Sequence, residues 1–212
     1  MPASMPAAAA SGCGGVAPPV PSAAAAERAG RSEMGRVEVR GRRRLLDDFF
    51  KVDEAEVSFE RVDGSMTPPA RRLVFERGDS VAAVVRHRDS DSLLFVEQFR
   101  YPTVGKGCGW LLELVAGMID AGESPQTALC REIEEELGFA LTRCEPIATF
   151  FVSPGGSSER IWLYYAEVSD AGRVGAGGGI AAEQEEIRIV RMSVAAAKEA
   201  LRQGTLADAK TS

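Results

Sequence analysis

Residues 124–138, SPQTALCREIEEELG, constrain the fold of this chain more than any other stretch. Ser124 is a good helix N-cap, and Pro125 suits the first helical position, where a missing N–H costs nothing. Gly138 suits the left-handed residue that ends a helix. The spacing predicts a helix from Pro125 to Leu137 with Ala128, Leu129, Ile133 and Leu137 as its buried stripe. Glu132, Glu135 and Glu136 then share another face at i, i+3 and i+4, with Arg131 beside them. Like charges so placed cost about 0.2–0.5 kcal/mol per pair. Two readings fit this face. It is either a solvated polar surface or a half-shell for a hard cation such as Mg²⁺, which takes carboxylates, waters and substrate phosphates.

Around the helix the texture is that of strands. Residues 55–64 alternate and end in an Asp63-Gly64 turn, 70–85 hold two more β-rich runs, and 86–92 form a turn into a strand at 93–100. Further strands are expected at 110–117, 147–152, 161–168 and 187–192, with a Gly-rich loop over 172–186 and an amphipathic helix at 194–204. Many strands, one helix between them and one at the end predict a mixed sheet packed by helices, an α/β or α+β sandwich. Residues 1–34 are built from Ala, Pro, Gly and Ser and read as a disordered tail. Arg28 and Arg31 leave organelle targeting by 1–33 as the other reading of that tail. The rest divides into a small β subdomain over 35–63 and a main domain over 64–212.

A chain of 212 residues with 45% hydrophobic content supports one main globular unit. Its net charge of −6 argues against nucleic acid or an anionic membrane as partner, so an anionic substrate needs local cations or a metal. No apolar run reaches the ~18–20 residues of a membrane span, and a soluble, cytoplasmic protein is expected. Cys13, Cys108, Cys130 and Cys144 form no CxxC pair and read as reduced thiols.

From Gly117 the sequence runs G-x5-E-x7-R-E-I-x-E-E-x-G-F through Glu123, Arg131, Glu132, Ile133, Glu135, Glu136, Gly138 and Phe139. This resembles the signature of the Nudix hydrolases at every fixed position. The resemblance implies an α/β/α sandwich with a mixed sheet, a loop–helix–loop that binds Mg²⁺ or Mn²⁺, and hydrolysis of a nucleoside diphosphate linked to another moiety. It makes Glu132, Glu136 and the Ala116 carbonyl metal ligands, gives Glu135 a supporting role, and has Arg131 and Glu123 hold the motif's shape.

Pro154 in FFVSPGGSSER, Arg100 ending VEQFR, and Arg72 and Arg77 in RRLVFERG resemble the ADP-ribose pyrophosphatase branch. By that resemblance Arg72, Arg77, Arg100, Ser153 and Glu159 bind substrate. GGGIAAEQEE resembles a late catalytic loop, which makes Glu183 the general base and Glu185 a further metal ligand, with Glu159 the rival base. ADP-ribose leads as substrate; GDP-mannose and UDP- or ADP-glucose are the alternatives. In the resembling enzymes the small β subdomain exchanges between protomers, so a homodimer is expected. They also continue past a point matching ADAKTS into another apolar helical segment, so part of the core is expected beyond this chain. A nucleotide-sensing module without catalysis is the reading from another class, but such modules typically lose signature glutamates that this chain keeps.

Other residues receive plainer readings. His87, the single histidine, is expected in an exposed turn. Trp110, Phe150, Phe151 and Trp162 are expected in the core. Ser153, Ser157 and Ser158 have no accompanying histidine, which excludes serine nucleophile chemistry.

Overall fold

The computed structural model describes residues 35–180, 182 and 184–212; the expected tail over 1–34 and the candidate base Glu183 lie outside the described residues. Strands β1 (Val37–Asp47), β2 (Lys51–Phe59) and β3 (Ala70–Glu76) form an antiparallel three-stranded sheet, so the β unit expected over 35–63 runs on through Glu76. The main sheet contains β4 (Ser80–His87), β5 (Ser92–Phe99), β6 (Trp110–Glu113), β7 (Val115–Met118), β8 (Arg143–Phe151), β9 (Arg160–Val168) and β10 (Ile187–Ser193). Its central path is β10-β5-β4-β9-β8, with β4 and β9 parallel and the other pairs antiparallel, which makes it the mixed sheet expected.

Helix α1 (Pro125–Glu132) packs on one face through Ala128 and Leu129, over Val81, Ala83, Val85, Leu94, Val96 and Val115. Helix α2 (Val194–Arg202) covers the other face, where Ala197 meets Phe95 and Leu114. The alternation of β4 explains both contacts, since successive side chains of a strand point to opposite faces. The architecture is α/β with helices on both sides of the sheet. Ser124 Oγ accepts the Thr127 N–H at 3.1 Å, as its N-cap position predicts, and Ser193 does the same for Ala196. The three described cysteines, Cys108, Cys130 and Cys144, form no disulfide.

Two elements differ from the expected boundaries. The helix continues past Glu132 as a wide π-helical turn, Ile133–Leu137, ending at Gly138 with φ +73°. The strand expected over 110–117 is broken at Leu114. β6 pairs with β5 and β7 with β4, because β4 and β5 stay paired only over Val85–His87 and then part.

The crossover between β6 and β7 is fastened by Glu113, which is 2% exposed. Its carboxylate accepts two hydrogen bonds from Arg100 at 3.0 Å and one from Lys210 Nζ at 2.7 Å. Thr211 Oγ1 accepts the Leu114 N–H at 3.0 Å, and Leu206 is buried, so residues 206–212 dock against this crossover. Burial pushes Glu113 up, but the Arg100 hydrogen bonds and the Lys210 charge outweigh it and hold the group below the ordinary glutamate range. A depressed carboxylate contributes stability above its unfolded pKa of about 4.3 and loses it as pH falls through the lower folded value. Glu113→Gln is therefore expected to cost about 1.5–3 kcal/mol near pH 7, with the gap to wild type closing below about pH 4. Thermal melts of both proteins across pH 3–7 check this.

Candidate active site

β7 delivers Ala116 and Gly117 onto the flank of α1, with Gly117 directly against the Glu132 carboxylate. A Cβ at Gly117 would stand 1.8 Å from Glu132 Oε1. Glycine at this position is what lets the Glu132 carboxylate lie against the strand. Arg131 organises the surrounding acids: its Nε and Nη2 donate to Glu123 at 3.2 and 3.1 Å, and Nη2 also to the Met118 carbonyl at 2.9 Å. Its Nη1 donates to Glu132 at 2.7 Å and Glu135 at 3.2 Å. One guanidinium thus ties the loop before the helix to the helix itself and offsets much of the acidic face.

Glu136 is left out of that compensation. It is 3% exposed, and its carboxylate is reached by the Ala116 N–H at 3.3 Å. Burial first, then the charges of Glu132 and Glu185, push its pKa well above the ordinary range. Burial likewise raises Glu132, against the pull of Arg131. An unpaired buried carboxylate is costly unless a cation joins it, and three carboxylates with a strand backbone beside them are hard oxygen donors. Glu132 and Glu136, with the charge of Glu185 near them, are donors of the hard oxygen type that a divalent metal ion takes.

The Gly-rich loop places Glu185 there by capping the helix. Gly178 and Gly179 N–H groups donate to the carbonyls of Glu136 and Glu135 at 2.9 and 3.1 Å, while Val174 and Gly175 both donate to Gly138. A Cβ on Gly138 would come within 2.4 Å of the Gly175 carbonyl, so the left-handed cap is also a crossing point. Residues 174–179 are therefore pinned to the helix end. Ile180 N–H then reaches Glu185 Oε2 at 3.4 Å.

The remaining candidates fall into separate groups. Arg100 is committed through Nε and Nη2 to Glu113, and the charge of Glu136 reaches it. Glu159 is buried, accepts from Ser80 Oγ at 3.0 Å and lies 3.6 Å from Arg77 Nε. Both stand at the end of β4 where Val81 pairs with Gly117, the same end as the carboxylates. Ser153 turns the β8–β9 loop, its carbonyl accepting from Gly156 and Ser157. That loop bridges the two sheets, with Phe75 N–H donating to Gly156 O at 2.8 Å and Ser158 Oγ to Glu76 at 2.6 Å. Arg72 lines a groove of the three-stranded sheet with Arg43, Glu54 and Val74.

Three readings need correction. His87 closes β4 and is 1% exposed, because the strand runs two residues further than its hydrophobic pattern. Trp110 and Phe151 are 43% and 54% exposed, since Trp110 packs edge-on against Phe99 at the rim and Phe151 ends an edge strand. Glu113 was missed altogether. An acid inside the apolar run WLLELV was its one sequence signal.

A family model described as the NUDIX domain matches residues 76–211. A GDP-mannose pyrophosphatase of Cronobacter sakazakii is 35% identical over 169 residues, spanning 79% of this chain and 86% of that protein. An ADP-ribose pyrophosphatase of Escherichia coli K12 is 36% identical over 154 residues, 72% of this chain and 73% of the relative. A crystal structure titled as an ADP compounds hydrolase shares the fold with a TM-score of 0.64 at 20% identity, over 85% of this chain and 91% of that one. The glutamate-bearing loop–helix–loop and the sheet around it thus agree with the sequence relationships, and the chain belongs to the Nudix hydrolase family.

Proposed function

We propose that this chain hydrolyses the pyrophosphate bond of nucleoside diphosphate sugars with Mg²⁺, or Mn²⁺ in its place, and that ADP-ribose, giving AMP and ribose 5-phosphate, is the leading substrate. The observation that carries this reading is Glu136, a buried carboxylate pressed by Glu132 and Glu185, with no salt-bridge partner among the described residues and only the more distant charge of Arg100 to offset it. When bound, a divalent ion supplies charge neutralisation at the diphosphate and a lower pKa for the attacking water. Glu132, Glu136, Glu185 and the Ala116 carbonyl hold it, while Arg131 and Glu135 keep the carboxylates in register. Glu183 takes the proton of the attacking water. Arg100, whose Nη1 is not used by Glu113, meets a phosphate, and Arg77, Ser153 and Arg72 complete the substrate contacts. GDP-mannose is the second reading, favoured by the relative of that name with its coverage of 79% of this chain. No described helix is long and apolar enough to cross a membrane, and the bacterial relatives favour a cytoplasmic location.

The subunit is proposed to work as a homodimer. All of β1 is exposed, and Val37, Val39, Leu45, Leu46, Phe49 and Leu73 leave the three-stranded sheet with apolar surface that a second copy would cover.

Phosphate freed from the products by a coupled phosphatase, with ADP-ribose, GDP-mannose, UDP-glucose and ADP-glucose as substrates and with and without Mg²⁺, tests the reaction; absence of metal-dependent turnover on all four overturns it. In the same assay Glu136→Gln is expected to lose most activity, yet its metal-free melting temperature should equal or exceed that of wild type, because a crowded buried charge has gone. A drop in that temperature would count against Glu136 as a ligand. Glu183→Gln is expected to lower kcat about 10²–10⁴-fold with little change in KM, as removal of a base acting in the transition state should. Normal kcat there, with a collapse in Glu159→Gln, would move the base to Glu159. Sedimentation is expected to give a dimer mass, and a fully active monomer at every concentration refutes the assembly.

A further inference from the structure

The far end of β4 carries a second group of ligand-type side chains. His87 lies six residues along the strand from Val81, the partner of Gly117, about 20 Å away at ~3.3 Å per residue. Three elements meet there: the end of β4, the turn bearing Asp89 and Ser90, and the short 3₁₀ turn Asp170–Gly172 that follows β9. His87 Nε2 stands 3.2 Å from Asp170 Oδ1, and Asp89 Oδ2 accepts the Asp170 N–H at 2.7 Å. One ligand atom from each of the three residues lies within 4.8 Å of the other two.

The two nitrogens of His87 are treated differently. Nδ1 lies 2.8 Å from Ser90 Oγ, which is 2.8 Å from Ser92 Oγ and accepts from Arg191 Nη1 at 3.2 Å. Nε2 is fully buried and has no hydrogen-bond partner, since its approach to Asp170 is off the line a hydrogen bond requires. For Nε2 to face the two carboxylates with its lone pair, Nδ1–H donates to Ser90 Oγ at 2.8 Å in place of the longer approaches that the Ser90 N–H at 3.4 Å and Arg191 Nη1 at 3.5 Å make to that nitrogen. Such an arrangement is repulsive until a cation lies between them. A histidine whose second nitrogen is oriented by a hydrogen-bond chain is how proteins hold an imidazole toward a metal.

We propose that His87 Nε2, Asp89 and Asp170 form a second metal site, separate from the carboxylate cluster and selective for a borderline divalent ion of the Zn²⁺ class. An imidazole beside two carboxylates favours Zn²⁺, Co²⁺ or Ni²⁺ over Mg²⁺, which prefers oxygen donors. Bonds of about 2.0–2.2 Å put tetrahedral ligands roughly 3.3–3.6 Å apart, so the two exposed aspartates close the remaining distance by rotamer changes. The ion would lock the Asp170–Gly172 turn onto β4. That turn accepts the Ala140 N–H through the Gly172 carbonyl at 2.7 Å, and Arg173 covers the Phe139 ring that packs on His87. The same turn leads into the loop pinned to the C-terminal end of the α1 helical segment, so the site anchors the segment that carries Glu185.

The single histidine makes the test direct. Tag-free, ¹⁵N-labelled full chain is titrated with Zn²⁺ while excess Mg²⁺ occupies the carboxylate cluster, and the imidazole nitrogen resonances are followed. The expected result is a shift of Nε2 that saturates at one equivalent. Asp89→Asn and Asp170→Asn, both at exposed positions, should each weaken Zn²⁺ binding about 10–100-fold with the amide spectrum otherwise preserved, whereas Glu136→Gln leaves it intact. Imidazole signals that stay in place at several equivalents of Zn²⁺, or that shift with equal affinity in the double aspartate variant, overturn the proposal.

Discussion

Glu136 carries its carboxylate into the interface between helix and sheet, where the Ala116 N–H and the charges of Glu132 and Glu185 meet it. Holding that charge out of water constrains much of the surrounding architecture. The helix must lie close enough to β7 that residue 117 has no side chain, its acidic neighbours must be tied off by Arg131, and a second backbone segment must bring Glu185 across. Holding the charge there costs the protein stability, a cost that a cation beside it would reduce.

The end of the helix solves two problems with one set of contacts. Terminal carbonyls of a helix need donors, and the Gly-rich loop supplies them from Gly178 and Gly179. Because the loop must approach within backbone contact of Gly138, small residues are required on both sides of the crossing. The wide turn over Ile133–Leu137 places Ile133, Glu136 and Leu137 all in buried positions while Glu135 still reaches Arg131. Wide helical turns of this kind often occur at functional sites, where they re-aim side chains that a regular helix would misplace.

The sheet opening is held by a different buried acid. Where β4 and β5 part, Glu113 binds Arg100 and Lys210, so a residue near the C-terminal end of the chain stabilises the crossover that feeds Ala116 and Gly117 into the site. Arg100 stands between that structural pair and the charge of Glu136. Its position links the support of the sheet to the chemistry at its end.

Short-range rules were sufficient for the parts of this protein governed by short-range physics. Capping at Ser124 and Gly138, the stripe of Ala128, Leu129, Ile133 and Leu137, and the spacing from Gly117 to Phe139 can all be read along one helix and its flanks, because the contacts involved are a few residues apart. A mixed sheet packed by helices also follows from alternation and element order, whereas helices on both of its faces were implied by the family resemblance. The break at Leu114 does not, since it depends on Thr211 and on two strands that diverge elsewhere. Nor does the burial of His87, which a polar turn sequence conceals until Phe139 and the Asp170 turn fold over it. Sequence by itself determined that Glu132, Glu135 and Glu136 are gathered beside one another on one helical segment, because their spacing is local. Tertiary structure alone decided which of those charges Arg131 offsets and which stays buried, because that depends on how far each carboxylate is driven into an interface made by distant strands.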